Sequence, residues 1–248
     1  MYSKTRYLDS GDSALVVEFG NQINEEINRK VRNFDLAIKQ SKFGGIKEVV
    51  PTYRSLLIYY DPLEIKRNVL VEKLKELENN LDEFDFPQPK LVEIPTLYGY
   101  DFGPDLDYVA HHNGLTKEEV IKIHSEAKYL IYMLGFTPGF VYLGGMEEKI
   151  ATPRLKEPRT TIPAGSVGIA DNQTGIYPIE SPGGWQLIGV TPLKLFDPGR
   201  DSPILPGISA GNYITFKPID KPEYREIVTE FETGRYELEI KDIKQEDS

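Results

Sequence analysis

Three segments decide how this chain folds: LGFTPGFVYLGG (Leu134–Gly145), TPRLKEPRTTIPAGSVGIAD (Thr152–Asp171) and GIYPIESPGGW (Gly175–Trp185). Glycine and proline stand there beside aromatic residues and arginines, more densely than a helix or a plain sheet accommodates. Proline fixes φ and lacks an amide donor, whereas glycine adopts backbone angles that other residues avoid. The segments therefore predict short strands joined by rigid loops. Such loops serve as the corners of a β-barrel or as a binding or catalytic site.

The composition limits the classes of protein to which the chain can belong. Its 248 residues permit one large or two modest domains, and 40% hydrophobic residues suffice for a core. No run of about 18 apolar residues and no apolar signal-peptide core occur, so we expect a cytoplasmic protein without a membrane span. The absence of cysteine excludes disulfides, thiolate metal sites and a cysteine nucleophile. A net charge of −10 without a dense Lys/Arg cluster argues against nucleic-acid binding.

Residues 1–88 have the pattern of a small α/β domain, followed by an acidic, proline-bearing linker over 79–89. The predicted elements are a strand at Ala14–Phe19, a helix over Glu25–Gln40, strands at Ile46–Thr52 and Ser55–Asp61, a helix from near Pro62 to Leu81, and a strand at Leu91–Ile94. Their order, β-α-β-β-α-β, is that of a ferredoxin-like domain. The last of these strands can instead belong to the domain that follows.

Residues 89–241 have the pattern of a β-barrel domain, which makes the predicted fold class α+β. One helix is marked by the capping box Thr116-Lys-Glu-Glu119. From Tyr129 onward, short strand-like runs alternate with turns and predict a closed or nearly closed barrel. A short helix at Tyr224–Glu230 and a strand at Tyr236–Ile240 are expected near the end. The acidic tail 242–248 is predicted to be disordered.

The sequence carries none of the common signatures of catalysis. The histidines His111, His112 and His124 form no metal-binding pattern, so we expect structural or surface roles for them and no metal site. The segment around Ser166 is similar to a nucleophile elbow, but Ala164 replaces a required glycine and a strand follows where a helix is needed. No P-loop and no dinucleotide-binding glycine motif occurs.

Two arginines and a group of aromatic residues remain as candidates for binding. Arg154 and Arg159 each follow a proline, and a guanidinium matches the geometry of carboxylate and phosphate groups. Ordinary pairing of both arginines with surface acids is an equally good interpretation. Trp185, the single tryptophan, follows Pro182-Gly183-Gly184, while Phe140 and Tyr142 lie in the glycine-rich segment upstream. These rings form either part of the core or a concave binding face.

Taken together, GFTPGFVYLGG, the two Pro-Arg pairs, PAGSVGIA, IYPIESPGGW and the upstream GPDL (Gly103–Leu106) resemble the family of 5-oxoprolinase B subunits. This family includes the sporulation kinase inhibitor and the allophanate hydrolase subunit 1 proteins, and it is similar to part of the urea carboxylase carboxyltransferase region. The resemblance covers nearly the whole chain. It implies a ferredoxin-like domain over 1–88 and a cyclophilin-like barrel over 89–241.

The resemblance also implies an activity. It suggests the B subunit of an ATP-dependent 5-oxoprolinase, inactive alone, that opens the lactam 5-oxoproline to glutamate together with the homologous C subunit, and with the A subunit as a third component. ATP with Mg would be the cofactor. Its site can lie on a partner, and no biotin would be attached to this chain. Two alternatives stay open: an inhibitor that binds a sensor histidine kinase and blocks its autophosphorylation, and a carboxyltransferase-type subunit for urea or allophanate chemistry.

Motif position suggests the site residues. Arg154, Arg159 and Ser166 are the predicted catalytic residues. The predicted substrate-binding residues are Phe140, Tyr142, Tyr177, Gly183, Gly184, Trp185 and Gln186. We expect Arg159→Ala to abolish turnover without unfolding the chain. The sequence departs from the family pattern at Val190, where an arginine is common, and at Asn212, where an aspartate is common. Either change can be neutral, or can indicate another substrate or a non-catalytic member of the family.

Overall fold

A computed structural model describes residues 1–243 of the chain. It divides into two compact units, the first formed by Met1–Gln88 and the second beginning at Pro89. Each unit has its own hydrophobic core. The fold as a whole combines α-helices and β-sheets, as predicted for an α+β protein.

The first unit is a four-stranded sheet with two helices. Its elements are β1 (Arg6–Asp9), β2 (Ala14–Glu18), α1 (Glu25–Ser41), β3 (Ile46–Pro51), β4 (Ser55–Tyr60), α2 (Arg67–Asn79) and a short 3₁₀ helix at Leu81–Glu83. The strands lie in the order β1-β2-β4-β3, and every neighbouring pair is antiparallel. Helix α1 begins where Asn24 Oδ1 accepts the amide of Ile27 at 2.8 Å, and it buries the predicted face of Ile27, Val31, Phe34 and Ile38.

The order of elements in this unit differs from the predicted β-α-β-β-α-β. The edge of the sheet beside β2 is filled by β1, an N-terminal strand that the sequence analysis missed. The strand predicted at Leu91–Ile94 lies in the second unit instead. Strand β1 is mostly exposed and carries charged residues at both ends, so it lacks the apolar alternation by which strands are recognised.

The second unit is built mainly from β-strands, with three helices of eight or more residues in its described part. Its elements are β5 (Lys90–Tyr98), a 3₁₀ helix at Tyr100–Phe102, α3 (Leu106–Asn113), α4 (Lys117–Glu126), β6 (Tyr129–Leu134), β7 (Val141–Gly144), a 3₁₀ helix at Glu148–Ile150, β8 (Arg159–Ile162), β9 (Ser166–Ala170), β10 (Gln173–Ile176), β11 (Ser181–Gly183), β12 (Gln186–Val190), β13 (Tyr213–Pro218), α5 (Lys221–Glu232) and β14 (Ile240–Asp242).

The main sheet of the second unit curls into a nearly closed barrel. Seven strands follow the order β10-β9-β12-β5-β13-β6-β7, and β14 pairs with the first part of β5. The terminal strands of this path, β7 and β10, also lie side by side. The prediction of a closed or nearly closed barrel is therefore confirmed. Strands β8 and β11 form a separate antiparallel pair outside the barrel.

Alternation along β12 separates two environments. Ile188 and Val190 point into the barrel core with Val92, Ile94, Ile169 and Phe216. Trp185, just before β12, and Leu187 belong to a smaller cluster with Phe140, Ile162, Ala170 and Tyr177. Because neighbouring side chains of a strand point to opposite faces, one short segment serves both the core and the second cluster.

Several smaller predictions for this unit can be compared with the structure. The capping box is confirmed: Glu119 N donates to Thr116 Oγ1 at 3.2 Å and Thr116 N donates to Glu119 Oε2 at 2.8 Å. Helix α3 was missed, although Leu106, Val109 and Ala110 have helical spacing and Gly114 ends the helix in a left-handed conformation. The predicted tail begins inside β14, and Ile243 N donates to Pro89 O; residues 244–248 lie outside the described part.

Within residues 1–243, no helix has the length and apolar character needed to cross a bilayer.

His124 is fully buried in the barrel unit and fulfils a structural role. Its Nε2 lies 2.8 Å from Thr174 Oγ1, whose own proton is donated to Gly168 O at 3.0 Å, so Nε2 carries the imidazole proton. Its Nδ1 therefore accepts from the Tyr98 hydroxyl at 2.7 Å. Burial lowers the pKa of His124 to about 3, which keeps the ring neutral.

We predict that His124 contributes to acid sensitivity. Its pKa in the folded chain lies below the value of about 6.5 expected in the unfolded chain, so protonation favours unfolding as the pH falls below 6.5. Between pH 6.5 and pH 4.5, the free energy of unfolding should fall by about 2 kcal/mol more in the wild type than in His124→Gln. Chemical denaturation at both pH values measures this difference. Glutamine keeps an amide donor for Thr174 but does not titrate. An equal loss in both proteins would contradict the prediction.

Candidate functional site

The carboxylate of Asp105 joins three parts of the chain that are far apart in sequence. Its Oδ1 accepts from Arg159 Nη2 at 2.7 Å, and its Oδ2 accepts the amide of Leu187 at 2.6 Å. Arg159 Nη1 also donates to the carbonyl of Trp185 at 3.3 Å. The side chain of Asp105 is 13% exposed and that of Arg159 is 29% exposed. The pair thus fixes the backbone that presents Trp185.

The GPDL segment reaches β12 by close backbone contact. Asp105 N donates to Leu187 O at 2.9 Å, and Gly99 N donates to Ile188 O at 2.9 Å. A Cβ on Gly103 would collide with the carbonyl of Ile188, so only glycine permits this approach. The glycine and the aspartate of this motif therefore have separate physical roles, one steric and one electrostatic.

Arg154 lies near the Trp185 ring, and the residues on both sides of it are held by backbone contacts. Gln186 Nε2 donates to Pro153 O at 2.8 Å, and Leu155 N donates to Gly184 O at 2.7 Å. The guanidinium carbon of Arg154 lies 5.9 Å from the centre of the Trp185 ring. Arg154 Nε is 3.4 Å from Asp171 Oδ2, and both side chains are more than half exposed.

Aromatic rings connect this arginine face to the glycine-rich loop after β6. The Phe140 ring is the centre, with edge-on contacts to Tyr142 at 5.1 Å and to Tyr177 and Trp185 at 5.7 Å each. A Cβ on Gly175 would lie only 3.0 Å from the Trp185 ring, so the glycine leaves room for the indole. Tyr177 and Trp185 also contact each other edge-on at 6.2 Å, so Phe140, Tyr177 and Trp185 each touch the other two rings.

The Tyr177 hydroxyl lies beside both arginines and Gly183. A Cβ on Gly183 would collide with this hydroxyl, so the absence of a side chain at 183 makes its position possible. Burial raises the pKa of Tyr177 above its usual range, while the Trp185 amide, Arg154 and Arg159 act in the opposite direction. The phenol is therefore protonated at neutral pH and has a proton to donate.

The loop before Phe140 has a strained backbone. Phe136 has a φ of 65°, which is unusual for a bulky residue, and Thr137 N donates to Gly135 O across it at 2.8 Å. Its ring is largely exposed and contacts Phe140 edge-on at 5.6 Å. Strain of this kind is concentrated at functional sites.

The structure brings together eight of the ten predicted site residues and separates two. Around Trp185 lie Arg154, Arg159, Phe140, Tyr142, Tyr177, Gly183 and Gly184. Ser166 contributes its carbonyl to the Tyr177 amide at 2.9 Å, but its side chain is buried. Gln186 points to the face of β12 opposite Trp185, toward Pro153. Neither side chain faces solvent.

Two acidic residues of this site were missed by sequence reasoning. Asp105 stands in the GPDL motif, but a single aspartate in a turn gives no sign of its partner 54 positions away. Asp171 lies in the turn between β9 and β10 with a φ of 53°, and it forms a β-bridge with Thr152. The Asp171-Asn172 pair was a detectable turn signal, because both residue types tolerate left-handed angles.

Comparison with known proteins places this architecture in a family. The profile of the carboxyltransferase domain, subdomain C and D, matches residues 5–206. The B subunit of the Bacillus subtilis 5-oxoprolinase is 46% identical over 224 residues, which cover 86% of this chain and 92% of that protein. The urea amidolyase of Lachancea kluyveri is 26% identical over 274 residues, covering 96% of this chain but 15% of that enzyme.

A solved structure agrees with these relationships. The crystal structure of TTHA0988 in space group P212121 is 36% identical to this chain and superposes with a TM-score of 0.76. The superposition covers 84% of this chain, and the chain spans 41% of the length of TTHA0988.

We predict that the Asp105–Arg159 pair stabilises the second unit and the position of Trp185. Asp105→Asn removes the charge and one acceptor while keeping the shape of the side chain. Because Arg159 is partly exposed, the expected loss of unfolding free energy is about 2 kcal/mol, below that of a fully buried pair. Trp185 is the only tryptophan, so its emission should shift to the red as its backbone loosens.

A matched control is Glu93→Gln, which removes a carboxylate from the more exposed pair with Lys217 in the same unit. This variant should keep the wild-type emission and lose less than about 1 kcal/mol. Wild-type emission and stability in Asp105→Asn would contradict the assignment. The same pair implies that Arg159→Ala lowers stability as well as activity.

Proposed function

The chain belongs to the family of carboxyltransferase domains with subdomains C and D, and on this premise we propose that it acts as the B subunit of a 5-oxoprolinase. The reaction opens the five-membered lactam of 5-oxoproline to give glutamate. The observation that carries the proposal is the 46% identity to the B subunit of the Bacillus subtilis 5-oxoprolinase, which extends over 92% of that protein.

The geometry of the site supports a small acidic lactam as the substrate. Such a molecule has a flat, largely apolar ring, an amide group and a carboxylate. The guanidinium of Arg154, which is more than half exposed, suits the carboxylate, while Trp185 and Phe140 are buried and support the surrounding backbone. The hydroxyl of Tyr177 is protonated, but its side chain is buried in the same cluster. We propose that the chain supplies the cation that binds the carboxylate of the lactam.

ATP, which the family resemblance implies, is not matched by the residues of this site. A triphosphate with Mg needs several cationic or amide donors and oxygen ligands for the metal. Here Arg159 is already neutralised by Asp105, which leaves Arg154 as one exposed cation. Residues 1–243 contain no group of three His, Asp or Glu side chains arranged to hold a metal ion. We therefore assign the ATP site to a partner in the complex, and no step of the ATP chemistry to this chain.

The proposal includes partners and a location that follow from the resemblance. The homologous C subunit would complete the enzyme together with the A subunit. This chain would be inactive alone and carry no biotin, and the complex would be cytoplasmic. The names ferredoxin-like, for residues 1–88, and cyclophilin-like, for residues 89–241, belong to the same proposal. The sheet order β1-β2-β4-β3 supports the name ferredoxin-like only if the N-terminal strand β1 takes the place of the edge strand predicted at Leu91–Ile94.

A second candidate function is a carboxyltransferase-type subunit for urea or allophanate chemistry. It is favoured by the 26% identity to urea amidolyase, which extends over 96% of this chain. The lower identity and the small fraction of that enzyme that is matched place it second. A histidine-kinase partner stays a prediction from the family resemblance.

The proposed function is tested by measuring 5-oxoproline-dependent ATP hydrolysis and glutamate formation. The chain is assayed alone, with the C subunit, and with the C and A subunits together, after co-purification has shown that they assemble. We expect glutamate only from the complete mixture, in equal amounts with ADP. Biotin-dependent turnover of urea by an assembled complex, with no glutamate from 5-oxoproline, would support the second candidate. Assembly without either activity would contradict both.

A further inference from the structure

Building on the proposed function, we propose that Arg154 binds the carboxylate of the lactam substrate and that Asp171 occupies its guanidinium until the substrate displaces it. Arg159, the other arginine of the site, acts as a positioning residue. The site is thereby selective for lactams that carry an acidic group.

The backbone on both sides of Arg154 is fixed. Pro153 O is held by the amide nitrogen of Gln186, which is almost completely buried, and Leu155 N is bonded to Gly184 O. Thr152 exchanges two backbone hydrogen bonds with Asp171, at 3.0 and 2.8 Å. The exposed side chain of Arg154 thus belongs to a segment whose backbone is bonded at Thr152, Pro153 and Leu155. This arrangement lowers the entropy lost when a ligand is bound.

The buried amide of Gln186 is itself unusual. A carbonyl such as Pro153 O only accepts hydrogen bonds, so the Gln186 nitrogen must face it and Oε1 must point away. That oxygen is buried without a partner. A buried acceptor without a hydrogen bond lowers the stability of a protein. Here the unpaired Oε1 of Gln186 accompanies the bond from Nε2 that holds Pro153 in place.

Arg159 is unsuited to the same task. Its guanidinium already bonds the Asp105 carboxylate at 2.7 Å and the Trp185 carbonyl at 3.3 Å, and only 29% of the side chain is exposed. A substrate carboxylate there would have to approach Asp105 as well. Arg154 has no such neighbour apart from Asp171 within the described residues, and its guanidinium carbon lies 5.9 Å from the centre of the largely buried Trp185 ring.

Asp171 resembles the substrate group that would replace it. Its carboxylate lies 3.4 Å from Arg154 Nε, with 63% of the Asp171 side chain and 56% of the Arg154 side chain exposed. Exposed pairs of this kind contribute little to stability and exchange readily. Asp171 adopts a φ of 53°, where asparagine is also well tolerated, so the charge can be removed without disturbing the turn.

The experiment compares four variants in the assembled complex: Arg154→Gln, Arg154→Lys, Asp171→Asn and Arg200→Gln. Arg200 is a matched control, since its Nε is 3.7 Å from Asp197 Oδ2 and its guanidinium lies 4.9 Å from the Phe231 ring. Both arginines therefore pair with an aspartate and lie over an aromatic ring. The measured quantities are kcat and KM for 5-oxoproline and the inhibition constant of 2-pyrrolidone, the same lactam without a carboxylate.

We expect Arg154→Gln to raise KM for 5-oxoproline about 10- to 100-fold, the range for loss of a charged hydrogen-bonding partner. The inhibition constant of 2-pyrrolidone should stay within about twofold of the wild type. Arg154→Lys should have an intermediate KM, because lysine keeps the charge and loses the planar fork. Asp171→Asn should lower KM by up to about fivefold, since a competing carboxylate is removed. Arg200→Gln should match the wild type.

Two results would overturn the inference. One is a KM in Arg154→Gln that equals that of Arg200→Gln. The other is a rise in KM in Asp171→Asn as large as in Arg154→Gln, which would show that the ion pair is structural. Failure of the wild-type complex to turn over 5-oxoproline refutes the proposed function instead. Normal wild-type turnover with an unaffected Arg154→Gln refutes only the role of Arg154.

Discussion

One carboxylate, that of Asp105, determines where the rest of the site lies. It accepts the amide of Leu187 at the start of β12 and the guanidinium of Arg159 at the start of β8. The first bond attaches the turn before α3 to the barrel, and the second attaches the antiparallel pair of β8 and β11. Since Arg159 also holds the Trp185 carbonyl, the position of the only tryptophan depends on the same charge. Loss of the carboxylate would leave the Leu187 amide without an acceptor and the partly buried Arg159 without its anionic partner.

The barrel and the site use the two faces of the same strand. The inward residues of β12 complete the core, and Trp185 and Leu187 on the outer side complete the aromatic cluster. At Gly168 and Gly175 the backbone lies close to Trp185, and at Gly183 it lies close to Tyr177. A dense glycine and proline content is thus a packing requirement as well as a turn signal. The interpretation of these segments as corners of a barrel is therefore confirmed, and their role in a binding or catalytic site stays a prediction.

Local features of the sequence predicted local structure well. The periodic apolar face of α1, the capping box of α4 and the repeated short strands of the barrel depend on neighbouring residues, and all are present. The missed features depend on contacts between distant residues. Strand β1 is recognised from its pairing with β2 in the folded chain. The role of Asp105 is recognised only when the position of Arg159 is known. The family resemblance suggested the site residues but could not separate Arg154 from Arg159, because their difference lies in their partners.

The two departures from the family pattern lie at packed positions. Asn212 donates to Gly207 O and Ser209 Oγ at 2.9 Å each and accepts the amide of Lys90 at 3.0 Å. An ionised aspartate could accept from the Lys90 amide and from the Ser209 hydroxyl but could not donate to Gly207 O, so the amide adds one bond within its loop. Val190 is buried in the barrel core, where an unpaired arginine would carry a large desolvation cost. Neither side chain belongs to the cluster around Trp185, and the departures therefore give no reason to assign a different substrate.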